Sequence, residues 1–445
     1  MELPPGIGDA EVLKIQRLRV MHAQYADIEV FACSYFTKCR GFADVLARYR
    51  KSISKLVTLL RKVQSNPENF DQLLVLQREI VSRIRRTDQR VAELKSLKRE
   101  LTRGKRGGGL SKADARLIKE EIAAVSGAVR FYQWLLFVWR SFGDSIAFVY
   151  LDKFSIKHMI FNVDDGAKKE AAGALAGKEG FEHEWRLVRL MARQGIPAML
   201  CDISNVLRHG DVCILAGLDP IPIEVKASEN SNARVERQLE NIKKIRDFYE
   251  TDISFNFRGH ERLRRVELPT PKTNHAAVLN KCIELSLETG GMAISPEPGL
   301  VYACLRGGDI DDVLSPHLNP SCSVVMLNRA KAEGDWGIYL PFLLSINCSQ
   351  AIFEFLNGDI TLIVSVDVNE LKHTYAKHGL HADLTEQGLI VSRLGAQPNK
   401  DIFVTTSPGF LSRIFYEFES IDALAGMQKL HIESIEANSL NPALS

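Results

Sequence analysis

The stretch on which the fold turns runs Gly180-Phe-Glu-His-Glu184-Trp-Arg-Leu-Val-Arg-Leu-Met-Ala-Arg-Gln-Gly195, then Ile196–Cys201, Gly210-Asp211-Val-Cys-Ile-Leu-Ala216, Gly217-Leu-Asp-Pro220 and Ile221-Pro-Ile-Glu224-Val-Lys226. Apolar residues at 181, 185, 188 and 191 recur with the period of a helix, and Gly195 stops it. The three pieces that follow are short apolar runs of strand character. A hairpin about the 217–220 turn would set Asp211 opposite Lys226 and Cys213 opposite Glu224. Side chains alternate across a strand, so Asp211, Glu224 and Lys226 are expected on one face.

Two carboxylates at that spacing suit a small hard cation such as Mg²⁺, which prefers oxygen ligands and keeps part of its water shell. A lysine beside them can orient a water or steady the anion of a phosphoryl transition state. The acid-x-Lys triplet alone is weak, since it also occurs at Glu93-Leu-Lys95 and Glu370-Leu-Lys372, both in helical runs. Only the 224–226 triplet ends an apolar strand, follows a Gly-Asp pair and has an acid-bearing helix ahead of it. A cross-strand ion pair is the plainer reading of any one of these residues, worth at most ~1 kcal/mol on an exposed face.

Taken together, Glu184, Gly210-Asp211, Ile223-Glu224-Val225-Lys226 and Gln238 on the next helix resemble the PD-(D/E)xK nucleases, the restriction-endonuclease-like superfamily, in its Mrr-like branch. The resemblance covers residues 178–270 or so and implies a helix–strand–strand–strand–helix–strand core. It implies that Asp211 and Glu224, with the Val225 carbonyl, hold Mg²⁺ (Mn²⁺ substituting), and that Lys226 activates water. Glu184 would hold a metal-linked water and Gln238, on a helix over 233–249, would approach that water or the substrate backbone. The apolar register favours Glu184 over Glu182 as the helix acid. Residues between Arg262 and Leu268 would supply the fourth strand. Gly210 stands where a proline is common in the superfamily, and no Gln-x-x-x-Tyr follows, since Ile242 is four residues after Gln238.

Outward from this core, residues 1–150 read as a basic helical domain. Leu73, Ile80, Thr87, Leu94 and Leu101 stand seven apart, and Ile118, Ile122, Val125, Val129, Tyr132, Leu136 and Trp139 alternate three and four. Between the two series lies Arg103-Gly-Lys-Arg-Gly-Gly-Gly-Leu-Ser111, whose glycines end one helix and whose Ser111 can cap the next. The expected product is a long antiparallel coiled-coil hairpin with a cationic tip at Arg103, Lys105 and Arg106. Such a hairpin serves dimerisation, and its tip is a candidate nucleic-acid contact. Earlier helices are expected over 9–40 and 42–64. Residues 151–270 form the nuclease-like domain. Residues 271–445 form an α/β or α+β accessory domain, a candidate seat for a trigger or partner protein. Strands are expected there near 323–327, 359–366, 389–394 and 401–405, with a frayed tail from Glu433.

The chain's 445 residues, 45% apolar and 25% charged, fit a folded multi-domain α/β protein and exclude wholesale disorder. Residues 1–150 hold 27 Lys and Arg against 16 Asp and Glu, and the remainder 30 against 39, so a net charge of +2 hides a basic third and an acidic rest. That asymmetry points to an anionic partner for the first third. Eight cysteines without paired spacing read as buried thiols in a reducing cytoplasm. No leader is expected from the acidic, proline-bearing start, and no membrane span from a stretch broken by Arg140 and Asp144. His373, His378 and His381 lack zinc spacing. There is no Gly-x-x-x-x-Gly-Lys-Ser/Thr motif to power translocation. The expectation is a metal-dependent endonuclease acting on double-stranded DNA as a homo-oligomer, with phage defence as a fitting use. Its alternatives are an RNA-directed nuclease and a non-catalytic scaffold.

Overall fold

The structure is a computed structural model, and it describes residues 46–106, 111–225, 233–266, 273–334, 336–385, 388–395 and 402–440. The expected helix over 9–40, the glycines at 107–109 of the hairpin tip and Lys226 lie outside the described residues, while Gly104 is still helical. The chain forms two compact units, one of Tyr49–Val266 with Ala332–Leu344, the other built mainly from Glu267–Lys331 and Ser345–Ser445.

The first unit begins with α1 (Arg50–Ser65), α2 (Phe70–Arg106) and α3 (Lys112–Tyr150). The heptad residues Leu73, Ile80, Ile84, Val91 and Leu94 of α2 are buried as the spacing predicts, and Ser111 Oγ accepts from the Asp114 amide at the start of α3. By length and composition α3 could cross a membrane. Its last turns run through the unit's interior, where Trp139 donates to Thr87 across the hairpin at 3.1 Å. Arg140 and Asp144 are buried there too, each with hydrogen-bond partners. The polar residues that break the apolar run therefore serve tertiary contacts.

Next come α4 (Phe181–Arg193), β1 (Ala198–Leu200), β2 (Val212–Ile214), β3 (Ile221–Ile223), α5 (Ala233–Thr251), β4 (Ile253–Phe257) and β5 (His260–Arg264). Strands β1, β2 and β3 make one antiparallel sheet in that order. Among the described residues β4 pairs with β5 in a separate two-stranded sheet, so residues 262–264 of the expected fourth strand do not extend the first sheet. One edge of the small sheet is closed by a side chain. The buried Gln77 of α2 donates to the Ala198 carbonyl (2.9 Å) and accepts from the Leu200 amide (3.2 Å), as a neighbouring strand would.

The β2–β3 register differs from the expected one by two residues: Cys213 faces Pro222 rather than Glu224, and Val212 faces Ile223. The loop between the strands is wider because its residues are engaged elsewhere. The Leu215 amide donates to Pro197, the Leu218 carbonyl accepts from Asp152, and the Asp219 carboxylate accepts from Ser155 and pairs with Arg265. A slip of two preserves the face of every side chain. Asp211 thus stays on the side of Glu224, with the Val225 amide bonded to its carboxylate.

In the second unit an antiparallel sheet carries β6 (Gly291–Glu297), β7 (Leu300–Leu305), β8 (Cys322–Met326) and β9 (Thr361–Asp367) in the order β6-β7-β9-β8. A second sheet is formed by β10 (Leu380–Thr385), β11 (Gly388–Arg393) and β12 (Phe403–Thr406). Helices run over Ala276–Thr289, Ser349–Asn357 and Val368–Lys377. The last helix runs Ile421–Leu440, so Glu433 belongs to a helix and not to a frayed tail. Ile421, Leu424, Ala425 and Ile432 are buried along it, which gives it an apolar anchor.

Candidate active site

Three carboxylates of the first unit converge on one ammonium. Lys178 Nζ lies 2.7 Å from Asp202 Oδ2, 2.8 Å from Glu184 Oε1 and 3.0 Å from Asp211 Oδ1. Each of the four side chains is placed by a different piece of local structure.

Glu184 sits in the first turn of α4, whose buried face is Phe181, Glu184 and Val188. Glu182 is exposed, so Glu184 is the helix acid that faces the cluster. Asp211 precedes β2. Its carbonyl accepts from Cys201, its amide donates to Ile223, and its Oδ2 accepts from the Val225 amide at 3.0 Å. Gly210 beside it has φ +78°, and a Cβ there would lie 2.9 Å from the Ile223 carbonyl oxygen. Glycine stands at this position because only it tolerates both the conformation and the close approach.

Asp202 lies in the turn after β1, held down by α3. A Cβ on Gly143 would lie 2.0 Å from the Ile203 carbonyl oxygen, so the helix backbone presses against that turn. The Asp144 carboxylate then accepts from Ser204 Oγ and from the amides of Asn205 and Val206. Arg140 donates to the carbonyls of Asp202 (3.1 Å) and Gly173 (2.8 Å), tying the Asp202 turn to the segment that carries Lys178. That segment is also anchored to α2, where Asp88 accepts from the amides of Leu175 and Ala176. The helical hairpin therefore braces the site.

Electrostatics follow from this crowding. Burial pushes the Glu224 carboxyl up to about 7, and the neighbouring Asp211 charge adds to it. Burial also raises Glu184, against the opposing pull of Lys178. Burial by itself would lower the Lys178 ammonium, but Asp202, Glu184 and Asp211 outweigh it and hold Lys178 above its usual value. His209 is buried between Lys169 and the Phe161 carbonyl, and burial lowers it to about 4, so it is a neutral structural residue at pH 7.

Of the residues expected from the sequence, Glu184 and Asp211 meet at one point, and Glu224 and Val225 lie beside them. Gln238 is on the second turn of α5, and no hydrogen bond among the described residues joins it to the carboxylates. Lys226 lies outside the described residues. Arg103, Lys105 and Arg106 are exposed in the last turn of α2. Asp202 and Lys178 were not expected. Both sit in short irregular segments where no periodicity marks a residue, and an isolated acid or lysine there carries no signal.

Among the described residues no set of three or more His, Cys, Asp or Glu is gathered as metal ligands; the convergence is on Lys178. The donor chemistry nonetheless suits Mg²⁺. The groups are carboxylate oxygens, the donors this hard cation prefers, and Glu224 is raised chiefly by burial and further by the charge of Asp211 beside it. Mg²⁺ asks for contacts near 2.1 Å, so a cation among these groups would displace the ammonium from its present place. Comparison with protein-family models, with curated proteins and with solved structures returned no match.

Proposed function

We propose that the first unit is a metal-dependent nuclease that hydrolyses phosphodiester bonds, in DNA before RNA. The observation that carries this reading is the meeting of Glu184, Asp202 and Asp211 around the Lys178 ammonium, with Glu224 next to Asp211. In this reading Asp211 and Glu224, with the Val225 carbonyl, would hold Mg²⁺ or Mn²⁺. The bound ion would neutralise charge developing on the phosphoryl oxygens and lower the pKa of a water.

The chain's own residues do the rest. Glu184 accepts a hydrogen bond from the attacking water and sets its direction toward phosphorus. Lys178, released from one carboxylate but still held by Asp202, donates to a non-bridging oxygen. Lys226, three residues after β3 in the chain, is the second cation offered to the phosphate, and Gln238 an amide for the backbone. The water's oxygen gives a proton to solvent and bonds to phosphorus as the P–O bond to the leaving sugar breaks, and the leaving oxygen takes a proton from solvent. A homodimer built on the helical hairpin would cut both strands of a duplex, and restriction of foreign DNA in the cytoplasm is a use that fits a nuclease of this build.

A second reading has its own observation. Lys178 already neutralises the cluster, as a structural ion-pair network would, so the domain could bind without cutting. Equilibrium dialysis with Mn²⁺ separates the two. The nuclease reading expects one bound ion per chain that Asp211→Asn and Glu224→Gln each remove. Equal binding by both variants and the wild type would reject it.

A further inference from the structure

Beside the carboxylate cluster, α2 and α4 form the walls of an open groove of about 490 Å³. Arg78, Arg85 and Arg86 of α2 and Arg189 of α4 line it, with Phe181 and Trp185 of α4 between them. All four arginines are exposed, Trp185 is half-buried and Phe181 is buried. The spacing explains the arrangement: 78, 85 and 86 fall on one face of α2, and 181, 185 and 189 on one face of α4.

We propose that this groove binds a single-stranded stretch of nucleic acid, such as one strand of a locally opened duplex, and leads it past α4 to the carboxylates. Four guanidinium groups stand against one acid, Glu182, among the lining residues. A solvated helix face would mix its charges. Here the two acids of the same stretch of α2 are used away from the groove: Glu79 pairs with Lys55 at 2.9 Å, and Asp88 accepts from Leu175. Among the described residues none of the four arginines is in a salt bridge. The Arg85 guanidinium lies 4.9 Å from the centre of the Phe181 ring, which fixes its direction while leaving its edge donors for phosphate oxygens.

A row of arginines with an interleaved aromatic is the arrangement that grips a sugar-phosphate strand and stacks its bases. The groove favours one strand over two, because packed helices stand only about 8–10 Å apart. Trp185 offers its ring to an unstacked base, which a duplex does not present. Glu184 is the neighbour of Trp185 on the same helix, about 100° around it. A strand held against Trp185 thus lies alongside the helix whose inner side bears the acid bonded to Lys178.

The groove's purpose rests on the nuclease reading, but its occupancy can be measured without cutting. The experiment is fluorescence anisotropy of labelled oligothymidylate and oligouridylate of about 20 nucleotides, and of a duplex of the same length, with the full chain in EDTA. Variants are Arg85→Glu/Arg189→Glu, Arg78→Glu/Arg86→Glu and, as a comparison, Arg103→Glu/Arg106→Glu at the hairpin tip. All six positions are exposed, and melting curves check that each variant folds. The wild type is expected to bind the single strands more tightly than the duplex. Each groove variant should weaken binding about tenfold or more, and the slope of log K against log salt should become shallower by about 0.7 for every phosphate no longer neutralised. The tip variant, at the cationic contact expected from the sequence, should lose less binding than either groove variant. Trp185→Leu should weaken single-strand binding without changing the salt slope, since stacking on a ring releases no counterions. Groove variants that bind like wild type, a preference for the duplex, or a loss confined to the tip variant would overturn the proposal. If the groove variants lose binding while the wild type with Mg²⁺ cuts nothing, the groove stands and the nuclease reading falls. If the wild type cuts and the groove variants bind and cut normally, the reverse holds.

Discussion

Lys178 Nζ stands 3.0 Å from Asp211 Oδ1, while the other oxygen of that carboxylate takes the Val225 amide, so one side chain joins the loop ahead of α4 to the end of β3. The ammonium is the internal counter-ion of three carboxylates. It is the residue whose removal most changes the balance of charge at the site.

Lys178→Met should therefore lower stability and raise metal affinity together. Removing one partner from a buried ion-pair network leaves the others uncompensated, at a cost of about 3–5 kcal/mol when fully buried. The Lys178 side chain keeps 26% of its exposure, so a loss of about 2 kcal/mol is expected in urea unfolding. Mn²⁺ at millimolar concentration should restore the midpoint, and calorimetric titration should show tighter Mn²⁺ binding than wild type. Weaker Mn²⁺ binding by the variant would mean that Lys178 supports the ion instead of standing in its place.

The pH dependence has a defined sign. Glu224 has a folded-state pKa of about 7 against an ordinary 4.5, so the folded protein holds its proton over a range where the unfolded chain has released it. Its contribution is full below about 4.5 and is lost as pH rises through 7. The wild-type urea midpoint, measured without metal, should fall across that window more steeply than that of Glu224→Gln. Parallel profiles would remove Glu224 from the crowded set.

Gln77 closes the edge of the small sheet, and Gln77→Leu tests that brace. The substitution keeps the bulk but leaves the Ala198 carbonyl and the Leu200 amide without partners in the interior. At about 1–3 kcal/mol for each buried group left unpaired, a loss of about 2–4 kcal/mol is expected from thermal or urea unfolding. Hydrogen exchange at the Leu200 amide should accelerate in step. An unchanged exchange rate would show that α2 does not hold the strand.

The periodic parts of this protein are legible in its sequence, and the irregular parts are not. The three- and four-residue spacing of α2 and α3 and the apolar face of α4 are local facts, and the elements form where that spacing puts them. The shared face of Asp211 and Glu224 survives the shift in register because a two-residue slip keeps every side chain on its side of the sheet. The slip itself is invisible in the sequence, being set by Leu215, Leu218 and Asp219 bonding to Pro197, Asp152, Ser155 and Arg265 from distant segments. Asp202 and Lys178 reach the site through turns pinned by Asp144, Arg140 and Asp88, contacts that only the folded chain brings about. The cationic tip reads directly as a basic run, whereas the arginine groove does not, because its two halves lie about a hundred residues apart in the chain.

The central claim is that these carboxylates serve metal-dependent phosphodiester hydrolysis. Its most direct test is cleavage of plasmid DNA and of a structured RNA with Mg²⁺ or Mn²⁺, with EDTA, and with folded Asp211→Ala and Lys226→Ala proteins beside wild type. The account predicts metal-dependent cutting of DNA that EDTA stops and that each substitution lowers by about a hundredfold or more. Cutting that survives both substitutions, or a wild-type protein that binds Mn²⁺ and cuts neither nucleic acid, would contradict it.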